Sequence, residues 1–327
     1  MINFQFVRTS VVKTALSIIG KDPKASFIAG GTNLVDLMKR GVTAPEKLVD
    51  INSLPLKKIE LINNVLHIGA LTANSVMAEH PIVKDKFPLL MLALQAGASA
   101  QLRNVATLGG NMMQRTRCGY FYDTTMPCNK RVPGSGCGAI GGYNRMHAIF
   151  GTSESCIAVH PSDMCVALVA LDAKVVIANA KGERKINFID FHRLPGATPE
   201  KDNNLLKGEL IVRLEIPVNN LNKNFHYLKV RDRSSYAFAL VSVAAALDIK
   251  NNIISDARLA MGGVAHKPWR LIEAENFLKG KTANASNFED AARIAMNGAK
   301  GYGENDFKLK MAPNSIIEAL NVAKAKA

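Results

Sequence analysis

The residues best suited to chemistry are five cysteines, all of which lie between Cys118 and Cys165 in a chain of 327 residues. A disulfide framework would tie together segments throughout a small secreted fold, and this chain is not of that kind. Cysteines gathered in one stretch of a long chain instead predict a metal or cluster site.

Four of these cysteines share one irregular segment and are separated by nine, eight and eighteen residues: Cys118, Cys128, Cys137 and Cys156. The intervals lack the close C-x-x-C pairs of zinc ribbons and ferredoxins, so spacing alone does not identify the metal. Glycine and proline beside Cys128 and Cys137 predict turns with backbone N–H groups free to point at sulfur. A zinc site of three cysteines and one histidine stays open, with three candidate histidines: His147, His160 and His192.

The fifth cysteine, Cys165, lies in an apolar helical segment, where a thiol behaves as a small hydrophobic side chain. The alternative is that Cys165 replaces Cys156 as a ligand. Five basic residues accompany the other four cysteines and would favour thiolates and offset the negative charge of a cluster: Arg115, Arg117, Lys130, Arg131 and Arg145.

Two glycine-rich loops are the second chemical feature. In residues 28–34 a strand runs into Gly30-Gly31 and then into a helix, with Thr32 and Asn33 as capping residues. Adjacent glycines let a backbone approach a pyrophosphate. Each loop alone is also compatible with an ordinary turn, and the GxGxxG spacing is absent. Because residues 103–111 repeat the pattern with Gly109-Gly110, the pair fits the two phosphates of a dinucleotide.

Two further motifs carry polar side chains. His160-Pro161-Ser162-Asp163 opens a helix that Ser162 or Asp163 caps. Residues 227–233 form a strand whose basic residues, Lys229 among them, are expected to face outward.

The elements that must position these motifs alternate between strands and helices in the first part of the chain. Strands are expected near 26–29, 48–51, 65–70, 174–178 and 208–216, and helices at 32–39, 72–79, 87–100 and 162–171. Residues 101–114 are expected to form a glycine-centred turn and 115–159 an irregular segment. Beyond a boundary near 220, strands at 225–230, 237–249 and 254–261 precede helices at 271–278, 288–297 and 315–326, which predicts an α+β domain with an antiparallel sheet.

Composition and charge narrow the range of functions that the chain can have. The net charge of +14 first suggests nucleic acid, but the basic residues are dispersed and aromatic residues make up only 6% of the chain. No apolar run reaches the roughly 18 to 20 residues that cross a bilayer. Residues 1–6 have neither a basic nor an apolar signal region, so we expect no export signal in this chain itself.

In this order, the motifs resemble the FAD-binding subunit of the xanthine dehydrogenase (molybdenum hydroxylase) family, as do Gly262-Gly263-Val264-Ala265, Pro268 and Arg270. The similarity is strongest to the branch of periplasmic aldehyde oxidoreductases, which carries a cysteine insert. It implies an α+β fold: a two-part FAD-binding domain of vanillyl-alcohol-oxidase (PCMH) type at 1–220, with an iron–sulfur insert at 115–159, and a smaller α/β C-terminal flavoprotein domain of the CO dehydrogenase type at 221–327.

The resemblance also implies site residues. The FAD pyrophosphate would contact the first loop, namely Ile28, Ala29, Gly30, Gly31, Thr32, Asn33 and Leu34. The second loop would contribute Thr107, Gly110 and Asn111. Asp163 would bind an adenosine or ribitol hydroxyl, Ile211 would touch the adenine, and Lys229 would lie near the isoalloxazine. A [4Fe–4S] cluster would be held by Cys118, Cys128, Cys137 and Cys156.

The implied function is electron transfer in a heterotrimer. A molybdenum-cofactor subunit would oxidise an aldehyde, a subunit with two [2Fe–2S] clusters would relay electrons to this FAD, and an external acceptor would take them. Two alternatives stay open: a stand-alone flavin oxidase, and a non-catalytic zinc or nucleic-acid-binding module. The resemblance favours a periplasmic location through co-export with a signal-bearing partner, and the cytoplasm is the alternative.

Overall fold

The computed structural model describes residues 1–326. The first part of the chain contains a three-stranded parallel sheet in the order β1-β3-β2. Its elements are β1 (Gln5–Arg8), α1 (Val12–Lys21), β2 (Ala25–Ile28), α2 (Leu34–Lys39) and β3 (Lys47–Asp50). The apolar residues of α1 pack on this sheet and on one face of the next.

The second part is a five-stranded antiparallel sheet in the order β4-β5-β8-β6-β7. Its strands are β4 (Ile59–Ile62), β5 (Val65–Gly69), β6 (Lys174–Asn179), β7 (Gly182–Asn187) and β8 (Leu210–Pro217). The helices between them are α3 (Asn74–Glu79), α4 (Pro81–Lys86), α5 (Pro88–Ala96), α6 (Ala100–Val105), α7 (Leu108–Met112), α8 (Gly119–Tyr122), α9 (Asp163–Ala170) and α10 (Phe188–Phe191). Every residue of α9 is buried, so this helix forms the centre of the largest core.

The C-terminal part is an antiparallel sheet in the order β12-β11-β10-β9, followed by three helices. Its elements are β9 (Asn224–Val230), β10 (Val241–Lys250), β11 (Ile253–Gly262), β12 (Trp269–Arg270), α11 (Ile272–Leu278), α12 (Ala285–Ala295) and α13 (Phe307–Lys324). The side chains of β10 alternate between two cores, because Ala244 and Ala246 belong to the core around α9 whereas Val243 and Ala245 belong to the core under α13.

The α+β architecture expected from the sequence is confirmed, including the irregular segment at 115–159, in which α8 is the single helix among the described residues. One expectation was wrong. Residues 101–114 are not a glycine-centred turn but lie mostly in the short helices α6 and α7. The two glycines lie inside α7, because Thr107 caps that helix through a hydrogen bond from the Gly110 N–H to its Oγ1, 3.3 Å long.

Within residues 1–326, no helix has both the length and the apolar composition needed to cross a bilayer.

Candidate functional site

A long cleft runs between the two glycine loops and the C-terminal sheet. It consists of three adjoining cavities. The loop cavity, of about 500 Å³, lies between residues 25–34, 106–110 and 205–211. The central cavity, of about 700 Å³, shares Thr32, Asn33, Ala106 and Gly110 with it. The insert cavity, of about 530 Å³, shares Arg117, Met146, Pro161, Ser162, Asp163 and Phe238 with the central cavity. An extended molecule such as a dinucleotide fits a cleft of this form.

The first loop is pressed against the end of α6. A Cβ added to Gly30 would lie 2.1 Å from the carbonyl oxygen of Val105, so no other residue fits there without moving backbone. Gly31 has a φ of +69°, which favours glycine. Asn33 does not cap α2 with its side chain, contrary to expectation. Its Oδ1 instead accepts a hydrogen bond of 2.9 Å from the Arg115 N–H, which joins the loop to the start of the insert.

The second loop is held from both sides. The Gly109 N–H donates to the carbonyl of Ala70 at 2.8 Å, and Ser162 Oγ lies 2.5 Å from Asn111 Oδ1. Ser162 also caps α9 by accepting a hydrogen bond of 3.1 Å from the Cys165 N–H, one of the two caps expected. The second loop and the start of α9 therefore form one rigid wall of the cleft.

Asp163 and Lys229 form a buried ion pair in the wall of the central cavity. Lys229 Nζ donates to Asp163 Oδ2 at 2.7 Å and to the carbonyl of Ala96 at 3.0 Å. Only 5% of the Lys229 side chain is exposed, so the expectation that this lysine faces outward was wrong. It turns inward because the carboxylate and carbonyl compensate its charge where water is excluded.

Tyr227 completes this network and was missed in the sequence. Its hydroxyl donates to Asp163 Oδ1 at 2.8 Å and lies 3.1 Å from Ser242 Oγ. Burial and the Asp163 carboxylate raise the pKa of Tyr227 well above its usual value, so it stays a neutral donor. The period-two alternation of β9 could have identified it, because Tyr227 and Lys229 must point to the same face.

Polar atoms in the cleft fit a polar cofactor. Asn74 and Arg117 line the central cavity, and their atoms Asn74 Oδ1 and Arg117 Nε are buried without a hydrogen-bond partner among the described residues. Buried polar groups are normally paired, so these two atoms suit a bound molecule rich in polar groups. Asn74 carried no sequence signal, and Arg117 was expected only beside the cysteines, because the fold alone brings both to the cleft.

Ile211 lies farther along, on β8. It is 5% exposed and lines the loop cavity opposite Ile28 and Gly30. Its apolar side chain can pack against a flat ring but offers no polar contact.

The four cysteines of the insert line one small cavity, together with Lys130 and His147. Cys118 precedes α8, Cys128 and Cys137 face each other in an antiparallel bridge, and Cys156 pairs with Ser153 in a second bridge. Gly134 and Gly136, with φ of +84° and +97°, form the turn that returns the chain from Cys128 to Cys137. All four cysteines are free thiols.

Backbone N–H groups already point at two of these sulfurs. The Ala158 N–H lies 3.5 Å from Cys156 Sγ, and N–H groups of Tyr120 and Phe121 face Cys118. Burial raises the pKa of Cys118 to about 12 and that of Cys156 to about 11. Thiols with such pKa values are protonated at neutral pH unless a metal displaces the proton, and N–H···S hydrogen bonds are a usual feature of cluster-binding loops.

The distances between possible ligand atoms bear on which metal site the cysteines could form. Among residues 1–326, the only three histidine, cysteine or acidic side chains whose ligand atoms all lie within 4.8 Å of one another are His160, Cys165 and His192. A tetrahedral zinc ion bonded at about 2.3 Å would draw its sulfur ligands closer than this limit. By this measure no three of the four insert cysteines lie that close together in the described part of the chain.

Cys165 lies apart from them, inside the core on α9, beside His160 and His192. Burial raises the pKa of its thiol to about 12. The His192 Nε2 is 2.9 Å from the carbonyl of Met112, and burial lowers the pKa of His192 to about 4. This arrangement agrees with a structural role for Cys165.

The five basic residues near the insert are engaged with protein groups. Arg131 donates to the carbonyls of Tyr120 and Phe121, both at 2.8 Å. The other four pair with carboxylates: Arg115 and Lys130 with Asp202, Arg117 with Asp36, and Arg145 with Asp232. Their first contacts therefore stabilise the insert. Lys130 also lowers the pKa of Cys156 and so favours its thiolate as expected, although burial has the larger effect.

Comparison with known proteins agrees with this geometry. Residues 2–219 match the FAD binding domain in molybdopterin dehydrogenase, and residues 226–321 match the CO dehydrogenase flavoprotein C-terminal domain. The chain is 47% identical to the aldehyde oxidoreductase FAD-binding subunit PaoB of Escherichia coli strain K12 across 99% of both chains. It is 31% identical to the glyceraldehyde dehydrogenase medium chain of Sulfolobus acidocaldarius, over 88% of this chain and 85% of that one.

The fold also matches a solved structure, the carbon monoxide dehydrogenase of Hydrogenophaga pseudoflava. The TM-score is 0.79, with 25% sequence identity and complete coverage of both chains. The two family models together span nearly all of the described residues, and a relative similar over the full length and a shared fold agree with them. The chain therefore belongs to the molybdenum hydroxylase family as an FAD-binding oxidoreductase subunit.

Proposed function

We propose that the chain is the FAD- and [4Fe–4S]-binding electron-transfer subunit of a heterotrimeric, molybdenum-containing aldehyde oxidoreductase. The small cavity lined by Cys118, Cys128, Cys137 and Cys156 is called the cysteine cage below. The observation that supports the proposal is that one chain contains both the FAD cleft and this cage, which adjoin at Cys118 and His147. Identity of 47% over the full length to an aldehyde oxidoreductase subunit favours aldehydes as substrates.

The FAD contacts follow from the cleft. Residues 28–34 and the set Thr107, Gly110 and Asn111 would bind the pyrophosphate through backbone N–H groups and short polar side chains. Ile211 would pack against the adenine in the loop cavity. Asp163 would bind a hydroxyl of the ribitol or adenosine, and Lys229 would lie near the isoalloxazine in the central cavity.

The cluster ligands would be Cys118, Cys128, Cys137 and Cys156, which line a common cavity. Four thiolates are the usual ligand set of a [4Fe–4S] cluster. The backbone N–H groups near Cys118 and Cys156 would stabilise the negative charge on sulfur.

In the assembly, a molybdenum-cofactor subunit would oxidise the aldehyde and a subunit with two [2Fe–2S] clusters would pass the electrons on. FAD supplies the ability to accept electrons from one-electron carriers and release them to an external acceptor. This chain positions the flavin, excludes water from its buried parts and needs no side chain as acid, base or nucleophile.

For the location we propose the periplasm, reached by co-export with a signal-bearing partner, with the cytoplasm as the alternative. The proposal rests on the similarity to the periplasmic aldehyde oxidoreductase branch. Fractionation of cells that express all subunits tests it, since recovery of the folded complex from the cytoplasm alone would overturn it.

Co-expression with a molybdenum-cofactor subunit and a [2Fe–2S] subunit tests the function. The account expects a heterotrimer in which an aromatic or aliphatic aldehyde bleaches the flavin absorbance, while the same aldehyde leaves the flavin of the isolated chain oxidised. Reduction of the flavin in the isolated chain would instead favour a stand-alone flavin oxidase. A purified chain without flavin would favour the non-catalytic zinc or nucleic-acid module.

A further inference from the structure

His147 lies between the FAD cleft and the cysteine cage. Its side chain is buried, lines both the insert cavity and the cage, and places Nε2 only 3.1 Å from Cys118 Sγ. The other ring nitrogen, Nδ1, has no hydrogen-bond partner among the described residues. The contact with sulfur is the one side-chain hydrogen-bond contact of this imidazole among the described residues, and the backbone of Asn144 also lies near the ring.

The chemistry of the contact follows from the two ring nitrogens. A neutral imidazole carries a single N–H, and its tautomer is set by the partner that accepts this hydrogen. Cys118 Sγ is within hydrogen-bond distance of Nε2, and a metal-bound Cys118 has no proton to donate, so in the cluster-loaded protein this contact requires the hydrogen on Nε2. A thiolate accepts a stronger hydrogen bond than a thiol, so the contact strengthens when the sulfur bears negative charge.

The C-terminal domain holds the imidazole in place. Lys308 Nζ donates to the carbonyl of His147 at 2.9 Å and to that of Gly263 at 2.7 Å. Asn305 donates to the neighbouring carbonyl of Ala148 at 3.0 Å. Lys308 is fully buried and forms no ion pair with any residue that the structure describes. Ordered donors of this kind fix the backbone of His147 from the opposite domain.

We propose that His147 donates an N–H···S hydrogen bond to Cys118 in the cluster-loaded protein and thereby raises the reduction potential of the cluster. The inference rests on the proposed function, because it requires the cluster. A hydrogen bond to a ligand sulfur withdraws electron density and favours the reduced, more negative cluster. His147 acts through Cys118 and is a positioning residue, not an iron ligand.

Three variants test the proposal in the full complex, by titration of the cluster potential followed by electron paramagnetic resonance. His147→Phe keeps a flat ring without a donor and is expected to shift the potential to a more negative value. His147→Gln can restore an N–H donor and is expected to lie near the wild-type potential. The matched control is His192→Phe, which replaces another buried imidazole at a distance from the cage and is expected to leave the potential unchanged.

A second measurement distinguishes a hydrogen-bond donor from an iron ligand. With ¹⁵N-labelled histidine, pulsed electron paramagnetic resonance of the reduced cluster should show a weak ¹⁵N coupling that His147→Gln abolishes. A strong coupling, typical of an Fe–N bond, would overturn the inference by making His147 a ligand. Equal potentials in the wild type and His147→Phe, with no ¹⁵N coupling, would also overturn it while the cluster proposal stands. A wild-type complex that contains no iron in this chain would overturn both.

Discussion

Gly30 is the residue at which side-chain size decides cofactor binding. Gly30→Ala places a Cβ 2.1 Å from the Val105 carbonyl, so the first loop must move away from the second. We expect loss of most bound flavin, measured as the ratio of flavin to protein absorbance. Gly20→Ala is the matched control, because nothing lies within 4 Å of its Cβ and alanine stabilises a helix by about 0.5–1 kcal/mol. Equal flavin loss in both variants would contradict the role of the first loop.

Tyr227 is expected to tune how tightly the cleft binds FAD. Tyr227→Phe removes the donor to Asp163 Oδ1 and leaves the carboxylate with less support in a buried site. A hydrogen bond of this kind contributes about 1 kcal/mol, which corresponds to about fivefold weaker binding. Fluorescence titration of the apoprotein with FAD measures this. Tyr302→Phe is the control, since its hydroxyl contacts Thr152 instead, and the same loss there would refute the assignment.

Variants of two cysteines distinguish a proposed cluster ligand from a residue of the core. Cys128→Ala is expected to abolish the iron bound by this chain, whereas Cys165→Ala is expected to keep it and to cost about 1 kcal/mol of stability through the small cavity left on α9. Iron analysis and thermal unfolding measure the two effects. Iron loss of the same size in Cys165→Ala would refute the ligand set.

At the scale of elements, one partly buried carboxylate pairs with two basic residues of the insert. Asp202 pairs with both Lys130, which is 1% exposed, and Arg115. Asp202→Asn leaves the Lys130 charge buried without its partner, so we expect a loss of about 3 kcal/mol of stability and a lower cluster content. Chemical unfolding and iron analysis measure both. Asp290→Asn removes an exposed helical ion pair and should change stability by less than about 0.5 kcal/mol.

The same pair predicts a pH dependence. Burial raises the pKa of Asp202, but Lys130 and Arg115 outweigh it and hold the pKa well below its usual range. Because the folded-state pKa is depressed, the stabilisation is complete above about pH 4 and is lost as the pH falls further. Wild-type stability should therefore decline more steeply below pH 4 than that of Asp202→Asn. Parallel curves would contradict this attribution.

Elements with strong periodicity were predictable, and those set by tertiary contacts were not. The apolar residues of β8, which is buried on both faces, and the apolar run of α9 identified both elements. The short helix α7 was missed because its glycines suggest a turn, and only the cap at Thr107 and the contact of Gly109 with Ala70 stabilise a helix there. The helix α6, which Ser99 caps, was missed with it because the whole of 101–114 was interpreted as one turn. The inward turn of Lys229 was missed for a similar reason, since its partner Asp163 is distant in sequence.

At the scale of the whole molecule, the motifs showed the cofactors that the chain is suited to bind but not how the sites adjoin. Two glycine loops and four cysteines were visible in the sequence. The contact between the cage and the cleft was not visible in the sequence. It depends on Lys308 and Asn305, which lie near the C-terminal end of the chain and donate hydrogen bonds to the carbonyls of His147 and Ala148. Such contacts have no local sequence signal.

The central claim is that one chain holds both a flavin and an iron–sulfur cluster. The most direct test is the absorption spectrum of the anaerobically purified chain, with flavin, iron and zinc measured on the same sample. The account predicts flavin bands with a broad iron–sulfur shoulder, and about one FAD and four irons per chain. Flavin bands with zinc or no metal in place of iron would contradict it.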